Sequence, residues 1–128
     1  MPPPRAKTVL RSVLALVLAV AAVPAVNLVG DLLSSTIGLP PGGGMRLAVD
    51  LGWVFLSGLA GSWLAVRVAD AARTAHAWAV FALYQCAALY AVTMAWEEFP
   101  RWFTLGLLLS PPLQAWLGWR LAGGRRRA

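Results

Sequence analysis

The sequence predicts an all-α polytopic membrane protein: an antiparallel bundle of four transmembrane helices with both termini cytoplasmic. Three observations carry this expectation. Four apolar runs, each about the ~20 residues a helix needs to cross a ~30 Å hydrocarbon core, fill most of the 128-residue chain. Nine of the eleven Lys and Arg residues fall on one side of the membrane that those runs imply. Aromatic residues gather near the run ends, where Trp and Tyr favour the membrane–water interface. A soluble surface helix keeps a polar stripe, and none of the four runs has one. With 59% hydrophobic residues and a mean hydropathy of +0.68, a soluble helical domain would lack the polar residues to cover itself.

The expected spans are residues 12–30, 47–66, 77–96 and 102–119, followed by a basic tail, 120–128. By length they form a single domain. The first run follows Arg5, Lys7 and Arg11. Residues 1–25 also read as a signal peptide, with a basic start, an apolar stretch and cleavage positions at Val23 and Ala25. An uncleaved span is the preferred reading, because Val26, Leu28 and Val29 extend the run to spanning length. The second run holds Asp50, the one formal charge inside any of the four. The third holds the lone cysteine, Cys86, which reads as a small apolar packing residue. The fourth holds Pro111 and Pro112, which remove two backbone donors, free the carbonyls of Leu107 and Leu108, and should kink or open the helix.

Orientation follows from Lys and Arg in the short segments. Arg5, Lys7, Arg11, Arg67, Arg73, Arg120, Arg125, Arg126 and Arg127 mark the cytoplasmic side, against Arg46 and Arg101 outside. Trp53, Trp96, Phe99, Trp102 and Phe103 lie toward the outer face, and Trp63, Trp78, Trp116 and Trp119 toward the inner. Ten Arg against one Lys, with abundant Ala, Gly and Pro, fit a GC-rich genome and so a bacterial inner membrane. Because the +6 charge flanks membrane spans, it gives no reason to expect a nucleic-acid partner. The tail residues Arg125, Arg126 and Arg127 are candidates for contact with anionic lipid heads.

Connectors 67–73 and 97–101 are short, and short links favour antiparallel neighbours. The loop 34–45, with Pro40, Pro41 and Gly42 to Gly44, leaves the first span freest in its choice of partner. Small residues recur at packing intervals: Ser57 with Gly61, Gly58 with Ser62, Ala87 with Ala91, and Gly106 with Ser110. Such faces let helix backbones approach closely in lipid. Ser57, Gly58, Gly61, Ser62, Ala87 and Ala91 are the candidate packing interface, within one bundle or between copies.

Two further groups are candidate sites. Ser57, Gln85 and Ser110, with the Pro111-Pro112 break, form a polar layer near the midplane. Polar side chains at that depth hydrogen-bond across helices; a broken helix beside them could instead mark a transport site. Asp31, Asp50, Glu97 and Glu98 form an outer acidic cluster, four of the chain's five acids. They read as helix-end charges or as a cation attractor. Asp50 lies about a turn inside its span and calls for a partner, with Arg46 and Arg101 nearest by topology. His76, the single histidine, has no second His or Cys beside it with which to hold a metal.

In size and span count the chain resembles the small multidrug transporters, four-helix proteins that work as dimers. Their hallmark is an acidic residue within the first span. Here that span has none, and Asn27 is its most polar residue, so the resemblance does not carry transport over. There is no phosphate loop, no nucleophile placed beside a base and no cofactor signature, so no catalytic residue and no cofactor is expected. The expected function is that of a non-enzymatic inner-membrane protein acting through helix packing against itself or another membrane protein. A small transporter or channel is the alternative.

Overall fold

The computed structural model describes residues 5–123 and consists of four helices, with no strand among the described residues. They are α1 (Ala6–Thr36), α2 (Gly44–Val68), α3 (Arg73–Met94) and α4 (Arg101–Leu121). The all-α reading therefore holds. α1 starts six residues before the expected span and ends six after it, because within 6–36 only Pro24 removes a helical donor, and that one loss does not end the helix. It ends where Gly38 adopts φ +84° and Pro40 and Pro41 follow. α3 begins after Ala72, held in the left-handed region at φ 53°. α4 begins after Pro100, whose extended backbone ends the preceding turn. α4 remains one continuous helix through Pro111 and Pro112, where the sequence suggested a kink or an opening.

α1, α2 and α3 are long and apolar enough to cross a membrane. α4 does not reach the same composition, since Pro111, Pro112 and Gln114 interrupt its apolar run.

α2 is the hub. It packs most extensively against α1, next against α4, and less against its chain neighbour α3. Its buried residues form two i, i+4 rows, Ser57–Gly61–Ala65 and Gly58–Ser62–Val66, and neighbouring rows on one helix can serve different partners. Glycines set the closest approaches. Gly30 of α1 lies under the Trp53 ring of α2. A Cβ on Gly118 of α4 would fall 2.6 Å from the Ser62 Cβ and 2.8 Å from the Trp63 amide nitrogen. On α1 the buried residues are all small: Ala15, Ala19, Gly30 and Ser34.

Burial is inverted relative to a soluble protein. The interior holds Ser34, Ser57, Ser62, Thr104, Gln114 and Arg46 among small apolar residues. Large apolar side chains face outward, including Leu10, Val13, Val17 and Leu28 of α1, Leu89 of α3, and Leu109 and Leu113 of α4. Of the aromatic belt, Trp63, Trp78, Trp96, Trp102 and Trp116 are exposed. Phe103 is buried against Phe99 and Trp102, with ring centroids 5.0 and 6.0 Å away.

Candidate functional site

The centre of the bundle is a polar network shared by three helices. Asn27 Nδ2 of α1 donates to the Val23 carbonyl at 2.8 Å and to Ser57 Oγ of α2 at 3.0 Å. Ser57 Oγ donates to the Val54 carbonyl at 2.7 Å. Gln114 Nε2 of α4, itself buried, donates to that same carbonyl at 3.0 Å. Val54 thus accepts from its own helix and from α4, while Asn27 ties α1 to the same turn. Tyr84 of α3 adds a bond from its hydroxyl to the Ala19 carbonyl at 2.5 Å. Unmet polar groups are costly in so apolar a setting, and this arrangement answers that demand across helix boundaries.

A cavity of about 250 Å³ adjoins the network and takes lining residues from all four helices. Ser57, Ser110 and Pro111 line it, together with Asn27, Tyr84 and Gln114. Its exposed rim is Ala87 and Ala91 of α3, on the side where α1 and α3 make little contact. Ser110 Oγ donates to Gly106 O of its own helix at 2.7 Å, a common resting place for a helical serine. The expected polar layer is therefore divided. Gln85 and Pro112 do not line this cavity. Gln85 Nε2 instead donates to the Leu108 carbonyl at 3.3 Å. Leu108 stands four residues before Pro112, so its carbonyl is one that the proline deprives of a backbone donor. The Pro111-Pro112 pair and Gln85 are linked, though as a repaired helix rather than an open one.

Asn27, Tyr84 and Gln114 are the residues that sequence reasoning left out of the layer. For Gln114 a signal existed: it lies four residues after Ser110, on the same helical face. Tyr84 carried no such signal, because its hydroxyl meets α1, and pairing with α1 is not written in a local pattern.

The outer acids also divide. Asp31 and Asp50 converge on Arg46, whose side chain is only 4% exposed. Arg46 Nε donates to Asp50 Oδ1 at 3.0 Å, Nη1 to the Leu39 carbonyl at 3.0 Å, and Nη2 to Asp31 Oδ1. Of the two partners the sequence offered Asp50, Arg46 is the one used. Glu97 lies elsewhere, 3.9 Å from Arg101 with both side chains exposed. Arg101 itself stacks on Trp96 at 3.9 Å and donates to the Trp96 carbonyl at 2.6 Å. Glu98 is exposed. At the other end Arg11 donates to Asp70 Oδ1 at 2.9 Å and to the Val68 carbonyl at 3.0 Å, fastening the start of α1 to the end of α2.

The candidate packing interface splits in the same way. Ser57, Gly58, Gly61 and Ser62 are buried inside the chain. Gly58 lies against the Gln114 amide, and Gly61 against the Tyr84 hydroxyl and the Ala19 carbonyl. Ala87 and Ala91 are exposed. Arg125, Arg126 and Arg127 lie outside the described residues.

His76 Nδ1 is 2.8 Å from the Ala72 carbonyl, a contact within its own helix end. Cys86 is exposed. Among the described residues no three His, Cys, Asp or Glu side chains gather as a metal site. Comparison with protein-family models, with curated proteins and with solved structures returned no match.

Proposed function

We propose that all four helices cross a bacterial inner membrane as an antiparallel bundle with both termini cytoplasmic. In this reading the protein is non-enzymatic and works through lateral helix contact, as a homo-oligomer or as an accessory subunit of a membrane complex. The observation that carries the reading is the inverted burial: small and polar residues inside, large apolar ones outside. In water such a surface would aggregate; in lipid it is the stable arrangement.

The charged fastenings support the same frame. Arg11 and Asp31 are twenty residues apart on α1, roughly 30 Å at ~1.5 Å per residue, which matches the hydrocarbon thickness. α4 has 21 residues, which at ~1.5 Å each is enough to cross beside its neighbours. With the small-residue face of α2 occupied inside the chain, the face left for a partner is Ala87 and Ala91 of α3.

The test is native mass in nanodiscs, for the wild type and for Ala87→Leu with Ala91→Leu. The expected result is a homo-oligomer, or a complex with a copurifying subunit, that the double variant loses while keeping its helical circular dichroism. A wild-type monomer without a partner would overturn the reading.

One observation favours the second reading, a small transporter or channel: the cavity lined by Asn27, Ser57, Tyr84, Ser110 and Gln114. On that reading Gln114→Leu abolishes solute flux in proteoliposomes. Unchanged flux would remove the cavity from the account.

A further inference from the structure

We infer that the groove between α3 and α4 is a binding site for one anionic phospholipid. The inference rests on the membrane-spanning reading above. The groove is separate from the central cavity. It measures about 320 Å³ and is lined by Thr74, Trp78, Phe81, Pro112, Trp116 and Trp119, with Ala77 and Ala115 at its floor.

Its lining is graded along the helices. Phe81 and Pro112 lie toward the middle of α3 and α4. Thr74 and Trp119 lie at the end that also carries Arg73 and Arg120. Trp119 Nε1 donates to Thr74 Oγ1 at 3.2 Å, which joins the two helices at this end and occupies the indole donor. Trp78 and Trp116 stand on the walls, both exposed, and Trp78 meets Phe81 edge-on with centroids 5.8 Å apart. Aromatic and proline walls of this kind accept an acyl chain and offer a polar head nothing to bind.

Charge at the rim selects the head. The Arg120 guanidinium lies 5.2 Å from the centroid of Trp116, directly beside the groove. Arg73 adjoins Thr74 in the chain, and its Nε donates to the Ala69 carbonyl at 3.4 Å. Neither arginine has an ion pair among the described residues. The acid nearest in sequence, Asp70, is paired with Arg11 at 2.9 Å. Arg120, without an ion pair among the described residues, stands beside an apolar slot and complements a lipid phosphate whose chain fills the slot, and Arg73 adds positive charge at the same end of α3. Basic pockets between transmembrane helices at the cytoplasmic side are suited to such heads. A zwitterionic lipid brings its own cation to the same rim and gains less.

The experiment is native mass spectrometry of the full chain released from nanodiscs of equimolar phosphatidylglycerol and phosphatidylcholine. One phosphatidylglycerol should be retained in preference to phosphatidylcholine. Each of Arg73→Gln and Arg120→Gln should lower that preference about fivefold. Trp116→Ala should lower retention of both lipids, because it opens the wall that holds the chain. Equal retention of the two lipids by an embedded wild type would overturn the site. A partner polypeptide seated in place of lipid, seen as added protein mass with no lipid, would also overturn it. If the chain fails to enter the nanodisc at all, the spanning reading falls instead, so the two failures are distinct.

Discussion

Replacing Arg46 by Met should be the most damaging single change at the end of the bundle that holds Asp31 and Asp50. The side chain is 4% exposed and serves Asp31, Asp50 and the Leu39 carbonyl. Breaking a fully buried ion pair costs roughly 3–5 kcal/mol, mostly for the charge left behind. Here the abandoned charges are better placed. The Asp31 side chain is 64% exposed and that of Asp50 is 37% exposed, so water screens most of that penalty. What remains is the loss of charge-assisted bonds and of the donor to Leu39, for a net cost of about 2–3 kcal/mol. That is roughly 30- to 150-fold in the unfolding equilibrium. Asp31→Asn should cost about 0.5 kcal/mol, since an exposed carboxylate gains little from its partner. Arg46→Lys should fall between the two, because an ammonium keeps the charge and loses the fork geometry. The assay is reversible unfolding in mixed micelles with increasing dodecyl sulfate, followed by tryptophan fluorescence. If Asp31→Asn proves as costly as Arg46→Met, the carboxylates and not the buried guanidinium organise this end, and the reasoning fails.

Two further outcomes follow from close contacts and from depth. Gly61→Ala and Gly118→Ala should each destabilise by about 1–3 kcal/mol, because the added methyl meets backbone on a facing helix: the Ala19 carbonyl at 2.8 Å and the Trp63 amide nitrogen at 2.8 Å. Gly52→Ala, with nothing within 4 Å, should instead stabilise by roughly 0.5–1 kcal/mol, and the same unfolding assay separates them. Cys86, on the outward side of α3, should resist a charged maleimide in sealed vesicles and react after denaturation, since the hydrocarbon core excludes a charged reagent. Labelling from water in intact vesicles would place α3 outside the bilayer.

The helices were legible because each rests on a local pattern, a long apolar run closed by Pro, Gly or charge. The Arg46–Asp50 pair was legible too, being i, i+4 on one helix. What the sequence concealed was which helix faces which. Short connectors suggested antiparallel chain neighbours and said nothing of how closely each pair packs, and α2 packs more extensively against α4 than against α3. The reason lies in residues that look unremarkable in a row: Gly118 admits the Ser62 turn, and Gly58 leaves room for the Gln114 amide. Gln114 and Asn27 became a site only once that pairing brought both to the turn around Val54. Similarly, the four outer acids looked like one cluster because they share a depth. Depth does not fix the angle around the bundle, and Arg46 gathers two of them while Glu97 stays with Arg101.

That division changes the balance between the two functional readings. A cation attractor at the proposed outer face needs carboxylates in excess. Asp31 and Asp50 share a buried arginine, leaving one net negative charge for the three groups, while Glu97 and Glu98 stand apart with Arg101. Any attractor is therefore divided between two places, and the transport reading leans chiefly on the central cavity. The rim of that cavity is Ala87 and Ala91, the same small-residue face proposed for lateral contact. A helix docked there would cover the open side and enclose Asn27, Ser57 and Gln114 between two chains. The readings are therefore coupled through one surface. On the spanning reading, the cavity of a monomer would face acyl chains, which cannot solvate a polar solute entering from the side. In an oligomer it is walled by protein, and only there would its few polar groups gain enough strength in a low dielectric to hold one. Ala87→Leu with Ala91→Leu should accordingly abolish any flux together with assembly, whereas Gln114→Leu should abolish flux and leave assembly intact.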